Sequence, residues 1–362
     1  MEPLPSPAAV PAITDPQAAP RYPDGALSRA LAGLLHEARD EVFLRLTLRM
    51  YLIMLPAMVA LFVALRLPSP PWLSGWLPGL LYLGLWGLFV PPVILMLHNT
   101  MHRRFFRSPR LNKWHPYTMT FCFGIPSAYR EHHLGIHHQE DNMEADISST
   151  IHYRRDSLLH FLAYFGRFFL LTVVELPLYL IRRGRGALGL RVILMELLHE
   201  GIVVAALLLD WRFGLVAFLL PFFICRFMMM AGNWGQHAFI NTARKNDGIA
   251  NAVTCINAGY NRRCFNDGYH IGHHLKASRH WTELPADFLA NRERYAREGA
   301  IVFAGIDFFL VSVLLWTKQW RILARCYVRL DGPKSDDEVI ALLKGRVEPV
   351  TSWPLEAIGT RA

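Results

Sequence analysis

What most limits the fold of this chain is a set of four long apolar runs, at roughly residues 48–66, 78–97, 191–209 and 213–231. Each matches the ~20 helical residues needed to cross a bilayer. Lipid offers the backbone no hydrogen-bond partners, so runs of this length read as membrane helices. The first two are joined by the uncharged link LPSPPWLSGW and the last two by the tight turn DWRFG, which makes two membrane hairpins. Two more apolar segments, 158–181 and 300–316, are expected to lie at the membrane interface; Arg167, Glu175 and Pro177 interrupt the first. Residues 26–49 alternate apolar and charged positions at helical spacing, as an amphipathic surface helix does. The expected fold is all-α and integral to the membrane: four transmembrane helices in two hairpins, with interfacial helices and a cytosolic histidine-rich cap. Residues 1–25, rich in Pro and Ala, are expected to be a disordered tail, 26–320 the membrane domain and 321–362 a cytosolic C-terminal tail.

The net charge of +9 sits beside the apolar runs. Arg103, Arg104, Arg107, Arg110 and Lys113 follow the second run, and Arg182, Arg183, Arg185 and Arg191 precede the third, while the hairpin turns hold almost no basic residues. By the positive-inside bias, both termini and the regions 98–190 and 232–362 face the cytoplasm. Contact with anionic lipid accounts for these residues, and no basic stripe interleaved with aromatics points to nucleic acid. GRGALG at 184–189 matches GxGxxG but has no preceding strand and four arginines around it, so it reads as a basic loop. The five cysteines (Cys122, Cys225, Cys255, Cys264 and Cys326) form no CxxC pair and read as core residues.

Most of the sixteen histidines fall in four clusters. HNTMH places His98 and His102 at the end of the second run. YREHHLGIHH holds His132, His133, His137 and His138. NWGQH places Asn233 and His237 at the end of the fourth run, and GYHIGHH holds His270, His273 and His274. On a helix, positions i, i+3 and i+4 share a face, so each cluster can aim its imidazoles at one point. By the charge argument all four lie on one side of the membrane. Neutral imidazole binds iron, copper, zinc and nickel. Structural zinc is almost always four-coordinate, so more than twice that number of clustered imidazoles argues for two metal ions.

With these boxes in this order, the sequence resembles the membrane fatty-acid desaturase family over roughly residues 45–290. The family carries HxxxH, HxxxHH and HxxHH boxes, and some members add NxxxH; here these read HNTMH, HLGIHH, NWGQH and HIGHH. The resemblance implies a di-iron centre above four spans, with 26–320 as its catalytic domain. It implies iron ligation by His98, His102, His133, His137, His138, His237, His270, His273 and His274, with Asn233 acting through water. From His133 the second box has the family's spacing, whereas from His132 it is one residue too long. The implied reaction desaturates a fatty acyl chain with two Fe ions, O2 as co-substrate, two electrons and two protons. No flavin, ferredoxin or cytochrome b5 signature is present, so a separate ferredoxin-like or cytochrome b5-like donor is expected. A related membrane hydroxylase or ketolase acting on alkane, sterol or carotenoid has nearly the same ligand set. A non-catalytic structural zinc protein is the reading from another class.

Some polar residues are candidates to support the ligands. Glu131, Asp146 and Asp267 could accept the second N–H of an imidazole, and His280 could lie behind the site. Within the third run, Glu196, His199 and Glu200 share one face. Arg226 lies at similar depth in the fourth, about 7 Å from the same end at 1.5 Å per residue. Buried charges seek partners in lipid, so Arg226 is expected to pair with Glu196 or Glu200.

Overall fold

The computed structural model describes residues 10–68, 76–120, 123–244 and 247–350. Among them are five helices long and apolar enough to cross a membrane, one more than expected: α1 (Ala38–Ala64), α2 (Leu77–Met101), α3 (Leu158–Arg182), α4 (Gly186–Leu209) and α5 (Trp211–Gln236). The addition is α3, which stays helical through Arg167, Glu175 and Pro177. Most of the first hairpin link and Cys122 lie outside the described residues, and the other four cysteines are free thiols. The chain forms two compact units, one of residues 18–134 and 173–227, the other of residues up to 17, 135–172 and from 228 onward.

In the first unit α1 packs on α2, and the start of α5 folds back on α4. That turn needs Gly214, because a Cβ there would lie 2.4 Å from the backbone nitrogen of Leu207. Asp210 caps the turn, accepting from the backbone N–H groups of Arg212 and Phe213 at 3.0 and 3.1 Å. It also pairs with Arg66 at 3.1 Å, tying the ends of the two hairpins. The expected pairing of Arg226 is met by Glu196, with Nη2 to Oε2 at 3.1 Å. The amphipathic helix expected over 26–49 is broken. Ala26–Leu34 is one helix, and α1 opens on a 3-10 turn, Ala38–Asp40, before its α-helical part starts at Glu41. Between Leu34 and Glu41, Leu35 bridges Phe106, and buried Asp40 pairs with Arg103. These long-range partners outbid a continuous helix.

The second unit departs from an all-helical expectation. Val253–Ile256 and Ile301–Ala304 pair as two parallel strands, in register from Val253↔Ile301 to Ile256↔Ala304. β-branched residues buried on both faces favour this pairing. The segment 300–316, expected at the membrane interface, is therefore a strand followed by the helix Phe308–Trp316, whose Val311 and Leu315 are fully buried. The chain beyond 320 also differs from a solvated tail. Its helices Trp320–Cys326 and Asp336–Gly345 bury Leu323, Val339 and Leu343 in the same core as the strands. The expected disordered N-terminus departs likewise over its described part. Asp15 is buried and accepts from the Tyr269 hydroxyl at 2.7 Å and the Asn257 N–H at 2.6 Å.

Candidate metal centre

α2 ends in the HNTMH run. His98 and His102 lie one turn apart there, their ring centroids 5.4 Å apart. His133 joins them, its centroid 4.5 Å from that of His98 and its Nε2 2.8 Å from the His102 Nε2. His132 falls in no group of metal-capable side chains among the described residues, so the structure gathers His133 of the doubled pair. Residues 129–140 are helical, but His133–His137 winds as a π-helix. An α-helix would put His133 and His137 on one face. The wider turn, frequent at functional sites, sends them to different groups.

His137 belongs to a group in the second unit. With His237, His270 and His274 it offers four ring nitrogens within 4.8 Å of one another. His237 stands at the end of α5, and His270 and His274 lie one turn apart on the short helix His270–Leu275. The His270 Nε2 is 3.2 Å from that of His237 and 2.9 Å from that of His274. Nearby, the Nε2 atoms of His138 and His273 are 3.1 Å apart.

The outer nitrogens explain why these rings can converge. Nδ1 of His137 lies 2.7 Å from Asp146, Nδ1 of His274 2.9 Å from Asp141, and Nδ1 of His237 3.1 Å from the Asn251 carbonyl. A carboxylate or carbonyl only accepts, so each of these nitrogens carries the proton. Their Nε2 atoms are then lone pairs facing inward. Lone pairs in contact repel, and one shared proton on His270 could serve only one neighbour. A cation between them satisfies all, so the donor set fits a bound metal. Burial and neighbouring groups act on the charge of the rings in opposite directions. Burial, with the neighbouring His274 and His137, pushes His237 down to about 3. Burial opposes charge on His137 as well, but Asp146 outweighs it and raises this ring above its usual value.

The remaining candidates are placed variously. The amide nitrogen of Asn233 donates to the Ser148 carbonyl at 2.9 Å and to Tyr164 Oη at 2.7 Å. Asp267 accepts from Tyr260 at 3.0 Å and Gln236 at 3.4 Å. His280 is buried and accepts from the Thr282 N–H at 3.2 Å, capping a short turn. Glu131 is a correction: it accepts from Tyr117, with Arg191 at 4.0 Å, and not from an imidazole. Burial and this carboxylate push the Tyr117 phenol up to about 12, so the hydroxyl keeps its proton and donates. Sequence reasoning missed Ser148 and Tyr164, which brace Asn233, and the Asn251 carbonyl, which every residue type would offer alike.

Long apolar helices whose ends bear converging histidines define an integral membrane protein able to hold metal. The fatty acid desaturase family model matches residues 70–305, and the chain belongs to that family. Membership makes it an oxidoreductase of lipid acyl chains in a membrane setting. No curated protein matches the chain.

Proposed function

We propose that the protein is a di-iron, O2-dependent desaturase that introduces a double bond into a fatty acyl chain. The observation that carries this reading is the group of His137, His237, His270 and His274, with three outer nitrogens held by acceptors. The nine histidines of the four boxes supply the ligands, and Asn233 acts through a water molecule. What bound iron adds is oxidation of an unactivated C–H bond by O2, which no side chain can perform. Asp146, Asp141 and the Asn251 carbonyl keep the ring protons outside, and burial of His137, His237 and His270 keeps bulk water from the ligand nitrogens. O2, two electrons and two protons enter, and an alkene and two waters leave. A separate ferredoxin-like or cytochrome b5-like donor supplies the electrons.

Topology supports four spans. His137 precedes α3, His237 follows α5, and their ring nitrogens lie in one group, so the chain between them crosses the membrane an even number of times. α4 and α5 form a hairpin and account for two crossings, which leaves α3 lying along the interface. The arginines flanking the spans support a cytoplasmic side for the metal site and both termini. Expression in a host of known lipid content, followed by mass-spectrometric lipid profiling, tests the reading. A new double bond supports it. A new hydroxyl indicates the related hydroxylase instead, and unchanged lipids with zinc but no iron indicate a structural protein.

A further inference from the structure

Between residues 123 and 128 the chain is irregular yet buried at every position. Backbone away from water needs partners, and here they come from three long helices. Trp86 of α2 donates to the Phe123 carbonyl at 3.0 Å. Arg226 of α5 donates to the Gly124 carbonyl at 3.5 Å. Glu196 of α4 accepts from the Ala128 N–H at 3.0 Å and from the Ser127 hydroxyl through the same Oε1, leaving Oε2 for Arg226. Gly124 sits at φ +78, and a Cβ there would lie 2.4 Å from the Pro221 carbonyl carbon, so the loop is pressed onto α5.

This loop delivers His133. The first turn of the His133 segment begins at Ala128, whose carbonyl accepts from the His132 N–H at 2.8 Å. Five residues of helix, about 7.5 Å of rise, then separate Ala128 from His133. Metal–ligand distances tolerate only about 0.2 Å, so a loop free to drift by an ångström cannot hold His133 against His98 and His102. A buried ion pair is a poor stabiliser, because an apolar pair of similar volume often serves as well or better. The pair between Glu196 and Arg226 needs another reason for being there.

We infer that Glu196, held by Arg226, is a positioning residue that clamps Ser127 and Ala128 and thereby seats His133 for metal. The inference rests on reading His98, His102 and His133 as ligands. The test uses the full chain in phosphatidylcholine nanodiscs, reconstituted with ferrous iron, and reads iron per chain and melting temperature. The double variant Glu196→Leu/Arg226→Met leaves the Ala128 N–H and the Gly124 carbonyl without these partners; it is expected to melt somewhat below the parent, still cooperatively, and to retain about half its iron. Glu196→Gln/Arg226→Gln keeps an acceptor for Ser127 and Ala128, and is expected to retain all of it. Full iron in the apolar pair overturns the inference, as does half iron in the glutamine pair. Should the apolar pair not accumulate, Ser127→Ala removes one clamp without touching a charge; it is expected to lose iron faster to a chelator at unchanged melting temperature, and an unchanged loss rate overturns the inference. His98→Ala separates the two readings: it is expected to halve the iron with the loop intact, and full iron there rejects these histidines as ligands.

Discussion

Replacing Asp146 with alanine tests the outer support of the metal site, because two effects of that carboxylate oppose each other. Asp146 holds the Nδ1 proton of His137 at 2.7 Å and is itself held by the Ser148 N–H at 2.8 Å and hydroxyl at 2.7 Å. It also raises the pKa of His137. Removing it therefore eases loss of the competing proton, which favours metal, but frees the ring to rotate and change tautomer, which disfavours metal. Losing such a partner typically costs about 10–100-fold in metal affinity, or about 1.4–2.7 kcal/mol. The proton effect vanishes once the pH lies above the raised titration of His137, so a chelator competition repeated at rising pH until the difference between the two proteins levels off isolates orientation. Asp146→Ala is expected to weaken ferrous iron there by about that factor, and Asp146→Asn, which keeps an acceptor oxygen, by less. Equal or tighter binding in Asp146→Ala on that plateau would show that the carboxylate does not orient the ligand.

Three further outcomes are expected. Gly235→Ala should lower the melting temperature by an amount matching about 1–3 kcal/mol of overpacking, because its Cβ would lie 2.2 Å from the Phe308 carbonyl oxygen; an unchanged melting curve would mean that α5 is not packed there as described. Asp15→Ala leaves the Tyr269 hydroxyl and Asn257 N–H without their acceptor, at a cost of about 1–3 kcal/mol; hydrogen exchange over residues 257–269 should quicken, and equal protection would count against a tethered N-terminus. Stripping metal with a chelator should lower the melting temperature by the linkage expected of a ligand that binds only the folded state, about 2.7 kcal/mol at a hundredfold excess over Kd; ferrous iron should restore it, and no shift in either direction would argue against a metal in the fold.

What depends on neighbours along one helix is legible in the chain before it folds. The spans are legible because hydropathy is a one-dimensional property, and α1, α2, α4 and α5 fall on the four apolar runs. The pairs His98 with His102 and His270 with His274 are legible because four residues make about one turn. Even a pairing of Arg226 with Glu196 or Glu200 follows from counting residues inward from the same membrane face, and the fold selects Glu196. Whatever depends on partners distant in the chain becomes fixed only on folding. A π-helical turn, invisible in composition, assigns His133 and His137 to different groups. The acceptor for His237 is a backbone carbonyl, which every residue possesses. The segment beyond 320 joins the core through helices of only 7 and 10 residues, too short for periodicity to reveal, and through strands 253–256 and 301–304 that gain their partners only on folding. α3 is the sharpest case: its length and composition suit a span as well as a surface helix, and hydropathy alone does not choose between them.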